Sequence, residues 1–201
     1  MGEVYVHLPA DARPYEIRWH GRGGQGAITA AKALAQAAYL NGYQGATASP
    51  SFGAERRGAP VSASNRISSQ PVMVVSQVEE PDMVVVLDHT LLGDPEVVSG
   101  LRSGGWLVIN SPQSPGQPGA GGDFNMATTD ATGICRELGL VVSGLIVVNT
   151  AMLGAVIRAS GLVSLTSINE AIRRRFSDRS ARLNLAAVQE TYNKTVIERI
   201  S

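Results

Sequence analysis

The chain has 201 residues, 44% hydrophobic and 5% aromatic, with 22 glycines, one cysteine and 17 basic residues against 17 acidic ones. That length fits one domain with a sizeable core, and the apolar content excludes intrinsic disorder. A net charge of zero argues against a general nucleic-acid binder, and the lone Cys135 excludes internal disulfides and any iron–sulfur or cysteine-built zinc site made by this chain alone.

Residues 1–14 form an N-terminal extension ahead of an α/β domain spanning 15–201. The extension lacks the apolar run of a signal peptide, and Val6 stands where a myristoylation motif needs Ser or Thr. Tyr15–His20 alternates as a strand. The glycine cluster Gly21-Arg22-Gly23-Gly24-Gln25-Gly26 follows at once, and Ala27–Leu40 is a helix stopped by Asn41-Gly42. Gln44–Ala48 reads as a short strand and Ser49–Pro60 as a loop. Val61–Ile67 and Val72–Ser76 suggest a hairpin around Ser68–Pro71. Met83–Leu87 is a continuous apolar run, as in a central parallel strand, with Asp88 at its carboxyl end. Asp94–Arg102 reads as a short helix, Trp106–Ile109 as a buried strand and Pro112–Gly122 as a loop. Thr129–Leu138 and Thr150–Ala159 read as helices around a short strand within Leu140–Val148.

The uncharged stretch Leu138–Ile157 is long enough to span a bilayer, but Gly139, Ser143, Gly144, Asn149 and Thr150 interrupt it. No membrane span is expected, and the chain reads as cytoplasmic. The C-terminal helices cover 167–199: Ser167–Phe176, with Ser167 as cap and Glu170 three residues on, and an amphipathic Arg179–Arg199 carrying Leu185, Val188, Tyr192 and Val196 at helical spacing. Strands alternating with helices predict an α/β fold: three layers around a mostly parallel, mixed sheet, with a glycine-rich strand–loop–helix start and a C-terminal helical pair.

Gly21, Gly23 and Gly26 satisfy G-x-G-x-x-G, a backbone that turns tightly and offers helix amides to an anion. A dinucleotide site also needs an acid about twenty residues on. There is no Asp or Glu between Arg22 and Glu55. The loop also lacks the G-K-[ST] ending of a phosphate-binding loop. A tight strand–helix connection and an anion or partner contact, the latter favoured by Arg22, both fit it. The segment Phe52–Pro60 carries Glu55-Arg56-Arg57 between glycines. It reads either as a solvated turn or as a ligand or partner loop at the carboxyl edge of the sheet. His7, His20 and His89 lack metal-ligand spacing, Asp88 suits a helix cap, and Cys135 suits the core. The chain holds no complete catalytic set.

Taken in order, these motifs resemble one family. Arg18–Gly26, Phe52–Val61, the Asp88 strand end, Asn149–Ala155 and the helices around Ile168–Phe176 are similar to segments of the gamma subunit of 2-oxoacid:acceptor oxidoreductases, equivalent to domain III of single-chain pyruvate:ferredoxin oxidoreductase. The resemblance covers Tyr15–Tyr192. It implies one subunit of a complex that decarboxylates a 2-oxoacid, releases acyl-CoA and passes electrons to ferredoxin or to an NAD- or flavin-bearing subunit. It also implies alpha-, beta- and delta-type partners holding thiamine diphosphate, Mg2+ and [4Fe-4S] clusters, with CoA as co-substrate and this chain alone inactive. Gly21, Arg22, Gly23, Gly24, Gln25, Gly26, Glu55, Arg56, Arg57 and Asn149 are then cofactor-adjacent or interface residues, and none is catalytic. A free-standing nucleotide-binding oxidoreductase and a non-enzymatic anion-binding module are the alternatives. The zero net charge is itself a sum of unlike regions. Glu79–Glu96 holds six acids and no base, and Arg158–Ser201 eight bases against four acids, a segregation that suits a subunit among partners.

Overall fold

The computed structural model describes residues 8–50, 58–73, 76–114, 123–142 and 144–200. The Phe52–Arg57 part of the charged loop, Met1–His7 and most of Pro112–Gly122 lie outside the described residues. β1 (Tyr15–Arg22) alternates as its residues predict, with Ile17 and Trp19 fully buried on one face and Arg18 and His20 on the other. α1 (Ala27–Leu40) has the expected bounds, and its alanines and Leu34 close onto the sheet. Then come β2 (Gly45–Pro50), β3 (Pro60–Ser68), β4 (Met83–Val86), β5 (Trp106–Asn110), β6 (Asn125–Thr129) and α2 (Ala131–Glu137). A small hairpin of β7 (Val141–Val142) and β8 (Leu145–Ile146) precedes α3 (Met152–Ser160), α4 (Leu165–Arg175), α5 (Asp178–Lys194) and β9 (Val196–Glu198).

Among the described residues, seven strands form one sheet in the order β2-β3-β1-β4-β5-β6-β9. β1, β4, β5 and β6 pair in parallel, β3 is antiparallel to both β1 and β2, and β9 is antiparallel to β6. The sheet is therefore mixed and mostly parallel, as expected. α1, α3, α4 and α5 cover one face. On the other, Val84, Val86, Leu107, Ile109 and Met126 pack against Leu91 and Val97 from two 3-10 turns, which supply the third layer. A single buried amide stitches the first half together. Asn65 Oδ1 accepts from Trp19 Nε1 at 2.8 Å, while its Nδ2 donates to Ala31 O and Thr47 O, each at 2.8 Å.

Several local expectations are corrected. The hairpin expected of β3 does not form, because both of its edges are taken by β1 and β2; among the described residues, Val72, Met73 and Ser76 lie outside any strand. Asp94–Arg102 is not a helix. Asp88 and Asp94 each cap a one-turn 3-10 segment, His89–Gly93 and Pro95–Val97, and bond the amide two residues on. α4 starts earlier than expected because Ser164, not Ser167, is its cap and accepts from Ser167 N at 3.1 Å. The last helix stops at Lys194, where Thr195-Val196-Ile197 turns into β9 on the open edge of β6. Val196 is thus an exposed strand residue, and the buried face of α5 is Ala181, Asn184, Ala187, Val188 and Thr191. β6 itself was not anticipated, since Asn125-Met126-Ala127-Thr128-Thr129 lacks an apolar alternation.

Beneath β1 and β3 the second face is polar. Arg66 is buried, pairs with Glu16 at 2.7 Å and donates to Ser76 O at 2.7 Å and Gln77 O at 3.1 Å. Arg18 donates to Val97 O at 3.2 Å and, through Nε, to His20 Nε2 at 3.0 Å. That bond requires a neutral imidazole. Burial first, and the Arg18 charge second, lower the His20 pKa to about 4 from 6.5. Between those values the unfolded chain takes up a proton that the folded chain refuses, so stability is lost as pH falls through this window. A shift of this size is worth about 3 kcal/mol. His20→Gln keeps an acceptor for Arg18 and should flatten the fall of Tm between pH 7 and pH 4; a fall as steep as the parent's would refute the assignment.

Candidate functional site

The candidate site is built at the carboxyl edge of the parallel strands, where β1 gives way to α1. Gly21 and Arg22 belong to β1 and pair with Val61 and Pro60 of β3. The pairing continues past the strands: Gly23 N donates to Ala59 O at 2.8 Å and Gly58 N to Gly23 O at 3.1 Å. The glycine loop and the end of the charged loop are therefore one continuous ladder. Gln25 closes the turn, its Oε1 accepting from Arg22 N at 2.7 Å and its N donating to Arg22 O at 2.9 Å. Gly26 has φ +81° and caps α1 without a side-chain bond, which leaves the first amides of that helix to other acceptors.

Asn149 reaches this point from the segment before α3. It is only 6% exposed, and its Oδ1 accepts from Thr150 N at 2.7 Å. A Cβ on Gly26 would lie 2.3 Å from Asn149 Nδ2. Glycine is thus required at 26 both by its left-handed backbone and by the approach of Asn149. Thr150 Oγ1 in turn bonds Asn184 Oδ1 of α5.

Arg22 is not a free cation. Its Nε pairs with Asp88 Oδ2 at 2.9 Å, Nη2 donates to Thr90 Oγ1 at 2.9 Å, and Nη1 to Gly58 O at 3.3 Å. Burial alone would raise the Asp88 carboxyl, but hydrogen bonds from Thr90 and the Arg22 guanidinium outweigh it and hold the pKa below its ordinary value. Asp88 does cap the turn after β4 as expected, but its pairing with Arg22 was missed. The signal was available, since β1 and β4 are adjacent parallel strands and their ends meet. The structure thus brings together Gly21, Arg22, Gly23, Gly24, Gln25, Gly26 and Asn149. Glu55, Arg56 and Arg57 lie outside the described residues, next to Gly58.

The topology disfavours a dinucleotide. β3 is inserted between β1 and β2, whereas a dinucleotide fold places its second strand beside the first. β2 also carries no carboxylate for a ribose. Among the described residues no cluster of three or more His, Cys, Asp or Glu is placed to hold a metal. Cys135 is fully buried, and burial pushes its thiol up to about 12, away from the thiolate that ligation needs.

Residues 16–194 match the sequence family described as pyruvate ferredoxin/flavodoxin oxidoreductase. This chain belongs to that family. It is 46% identical over 190 residues to the pyruvate/ketoisovalerate oxidoreductases common subunit gamma of Thermococcus kodakarensis, covering 90% of this chain and 97% of that one. It is 44% identical over 179 residues to the pyruvate synthase subunit PorC of Methanocaldococcus jannaschii, covering 89% and 96%. The crystal structure of pyruvate oxidoreductase subunit PORC from Thermotoga maritima superposes with a TM-score of 0.80 at 36% identity, covering 92% of this chain and 99% of that one. The expected gamma-type subunit of a multi-subunit oxidoreductase therefore stands, as does the α/β fold, and the free-standing nucleotide-binding reading falls.

Family membership gives the Gly26–Asn149 contact a measurable consequence. Gly26→Ala must strain its backbone and displace Asn149, at a cost of about 1–3 kcal/mol. Thermal unfolding should show Tm lowered by several degrees. An unchanged Tm would mean that the contact does not hold the loop.

Proposed function

We propose that this chain is the gamma subunit of a CoA-acylating 2-oxoacid oxidoreductase that couples oxidative decarboxylation to electron transfer. The observation that carries the proposal is the ladder joining Gly23 to Gly58 and Ala59, because it unites at one strand edge the two motifs on which the resemblance rests. Thiamine diphosphate, Mg2+ and [4Fe-4S] clusters belong, in this reading, to alpha-, beta- and delta-type subunits, where they supply the decarboxylating and electron-carrying chemistry. A single, core-buried cysteine fits that division of labour. Ferredoxin or an NAD- or flavin-bearing subunit takes the electrons, and the assembly is cytoplasmic; among the described residues no helix is long and apolar enough to cross a membrane.

This chain's own residues bind and orient. Gly21 to Gly26 bring backbone close to whatever docks on the edge, and the uncapped amides of α1 with the buried Asn149 amide offer donors to an anionic or carbonyl oxygen there. Arg22 and Asp88 neutralise each other, and Arg22 also bonds Gly58, the residue that follows Glu55-Arg56-Arg57 in the chain. In this reading the rim lies beside the CoA path of the complex. The proposal predicts that the chain purifies from its native source with subunits that bear thiamine diphosphate and iron–sulfur clusters, and that the assembly reduces ferredoxin with pyruvate or another 2-oxoacid in a CoA-dependent reaction. Elution as an isolated chain, with no such partner, would overturn it.

A further inference from the structure

We infer that the arginine-rich turn between α4 and α5 is a docking surface for an acidic face of a partner subunit, an inference that rests on the gamma-subunit reading. Arg173, Arg174, Arg175, Arg179 and Arg182 are all exposed. Of these five, only Arg174 is ion-paired among the described residues, with Glu170 at 2.7 Å. Arginine supplies 15 of the 17 basic residues of the chain, and five of those arginines fall within these ten positions. A guanidinium keeps its charge and forks onto carboxylates, which suits an interface better than solvent.

Local helix electrostatics explain three of the five. Arg173, Arg174 and Arg175 occupy the last turn of α4, where the negative end of the helix dipole favours cations. Arg179 and Arg182 sit in the opening turns of α5, where the dipole is positive, and they add to the repulsion from the first three. Asp178 shares that first turn, but among the described residues no acid forms an ion pair with Arg179 or Arg182, and the two cations stand against the helix field. Three of the six acids of the chain's acidic segment are engaged elsewhere: Asp82 with Arg13, Asp88 with Arg22 and Glu80 with Arg102.

Position links the turn to the rim. α4 begins beside the end of α1, with Ser164 N and Ser167 Oγ both donating to Asn41 Oδ1 at 3.0 Å. It packs along α1 and so returns to the glycine-loop edge, where Thr150, the residue after Asn149, bonds Asn184 of α5. The arginines and the glycine loop therefore face the same side of the sheet. Five exposed guanidinium groups spread over two helices fit an extended acidic protein surface rather than one phosphate, and a net charge of zero disfavours nucleic acid.

The test is assembly of the purified chain with the thiamine- and cluster-bearing subunits of its own complex, followed across a sodium chloride series. The triple variant R173E/R175E/R179E should bind those subunits about tenfold or more weakly at low salt, and should lose the salt dependence that the parent shows. R179A is the second variant. It relieves the conflict with the α5 dipole, so it should hold or raise Tm while weakening assembly, which separates docking from folding. Parent-like affinity and salt dependence in both variants would overturn the inference. So would intact assembly with a raised KM for CoA alone, which would reassign the turn to a phosphate ligand, or tight binding of duplex DNA by the parent. Failure of the parent itself to assemble would instead overturn the gamma-subunit reading and this inference with it.

Discussion

The close approach of Asn149 to Gly26 is the joint on which the arrangement of the rim depends. On one side stands the first strand–loop–helix unit; on the other stand α3 and α5. The Asn149 carboxamide caps its own segment through Thr150 N and lies against the backbone of Gly26, with no room for a side chain between them. One residue on, Thr150 bonds Asn184, and Thr191 Oγ1 donates to Ala151 O at 2.5 Å. α3 and α5 meet at a second glycine: a Cβ on Gly154 would fall 2.2 Å from both Val188 O and Thr191 Oγ1. Two glycines far apart in the chain therefore do related work, each letting backbone approach where a methyl group would wedge the layers apart.

The inserted strand β3 is the second constraint. It satisfies the free edge of β1 and then continues, beyond the strand, as the bonds from Gly23 to Ala59 and Gly58. That extension ties the glycine loop to a neighbouring loop instead of leaving it open to a long ligand. Asn65 holds the insertion in register from inside. Its carboxamide sits fully buried between Trp19, Ala31 and Thr47, and the Trp19 indole N–H would lose its acceptor in the core without it. A G-x-G-x-x-G sequence in this setting has the backbone freedom of a nucleotide loop but a different neighbour on its flank.

What was legible in the sequence followed from strong local signals. α1 is bounded by a glycine loop and Asn41-Gly42, and its limits agree with the pattern; β4 is a continuous apolar run and is the central strand it promised to be. The failures lie where tertiary pairing overrides local preference. Residues 195–198 carry on an amphipathic pattern, but the open edge of β6 draws them into β9. The hairpin expected of β3 with Val72–Ser76 does not form because both edges of β3 are taken by β1 and β2. At the site, the glycine loop was visible from spacing alone. The Arg22–Asp88 pair, 66 residues apart in sequence, becomes visible only once β1 and β4 are known to be neighbours.

The neutrality of the chain then acquires a structural meaning. Its acids and bases do not cancel by mixing. Three of the acids around β4, Asp82, Asp88 and Glu80, are matched by Arg13, Arg22 and Arg102, pairs that pin the amino and carboxyl ends of the central strands. Arg66 and Glu16 cancel in the same way beneath the sheet. Arg173, Arg175, Arg179 and Arg182, by contrast, form no ion pair among the described residues and gather at one turn of the C-terminal helices. Exposed charges of one sign repel one another over roughly a Debye length of about 8 Å at physiological ionic strength, so a cluster this dense is a standing local cost for an isolated chain. The cost disappears when an acidic surface covers the turn. A protein balanced overall but unbalanced at one edge is built to be completed by a neighbour, and that edge is the one carrying the glycine loop.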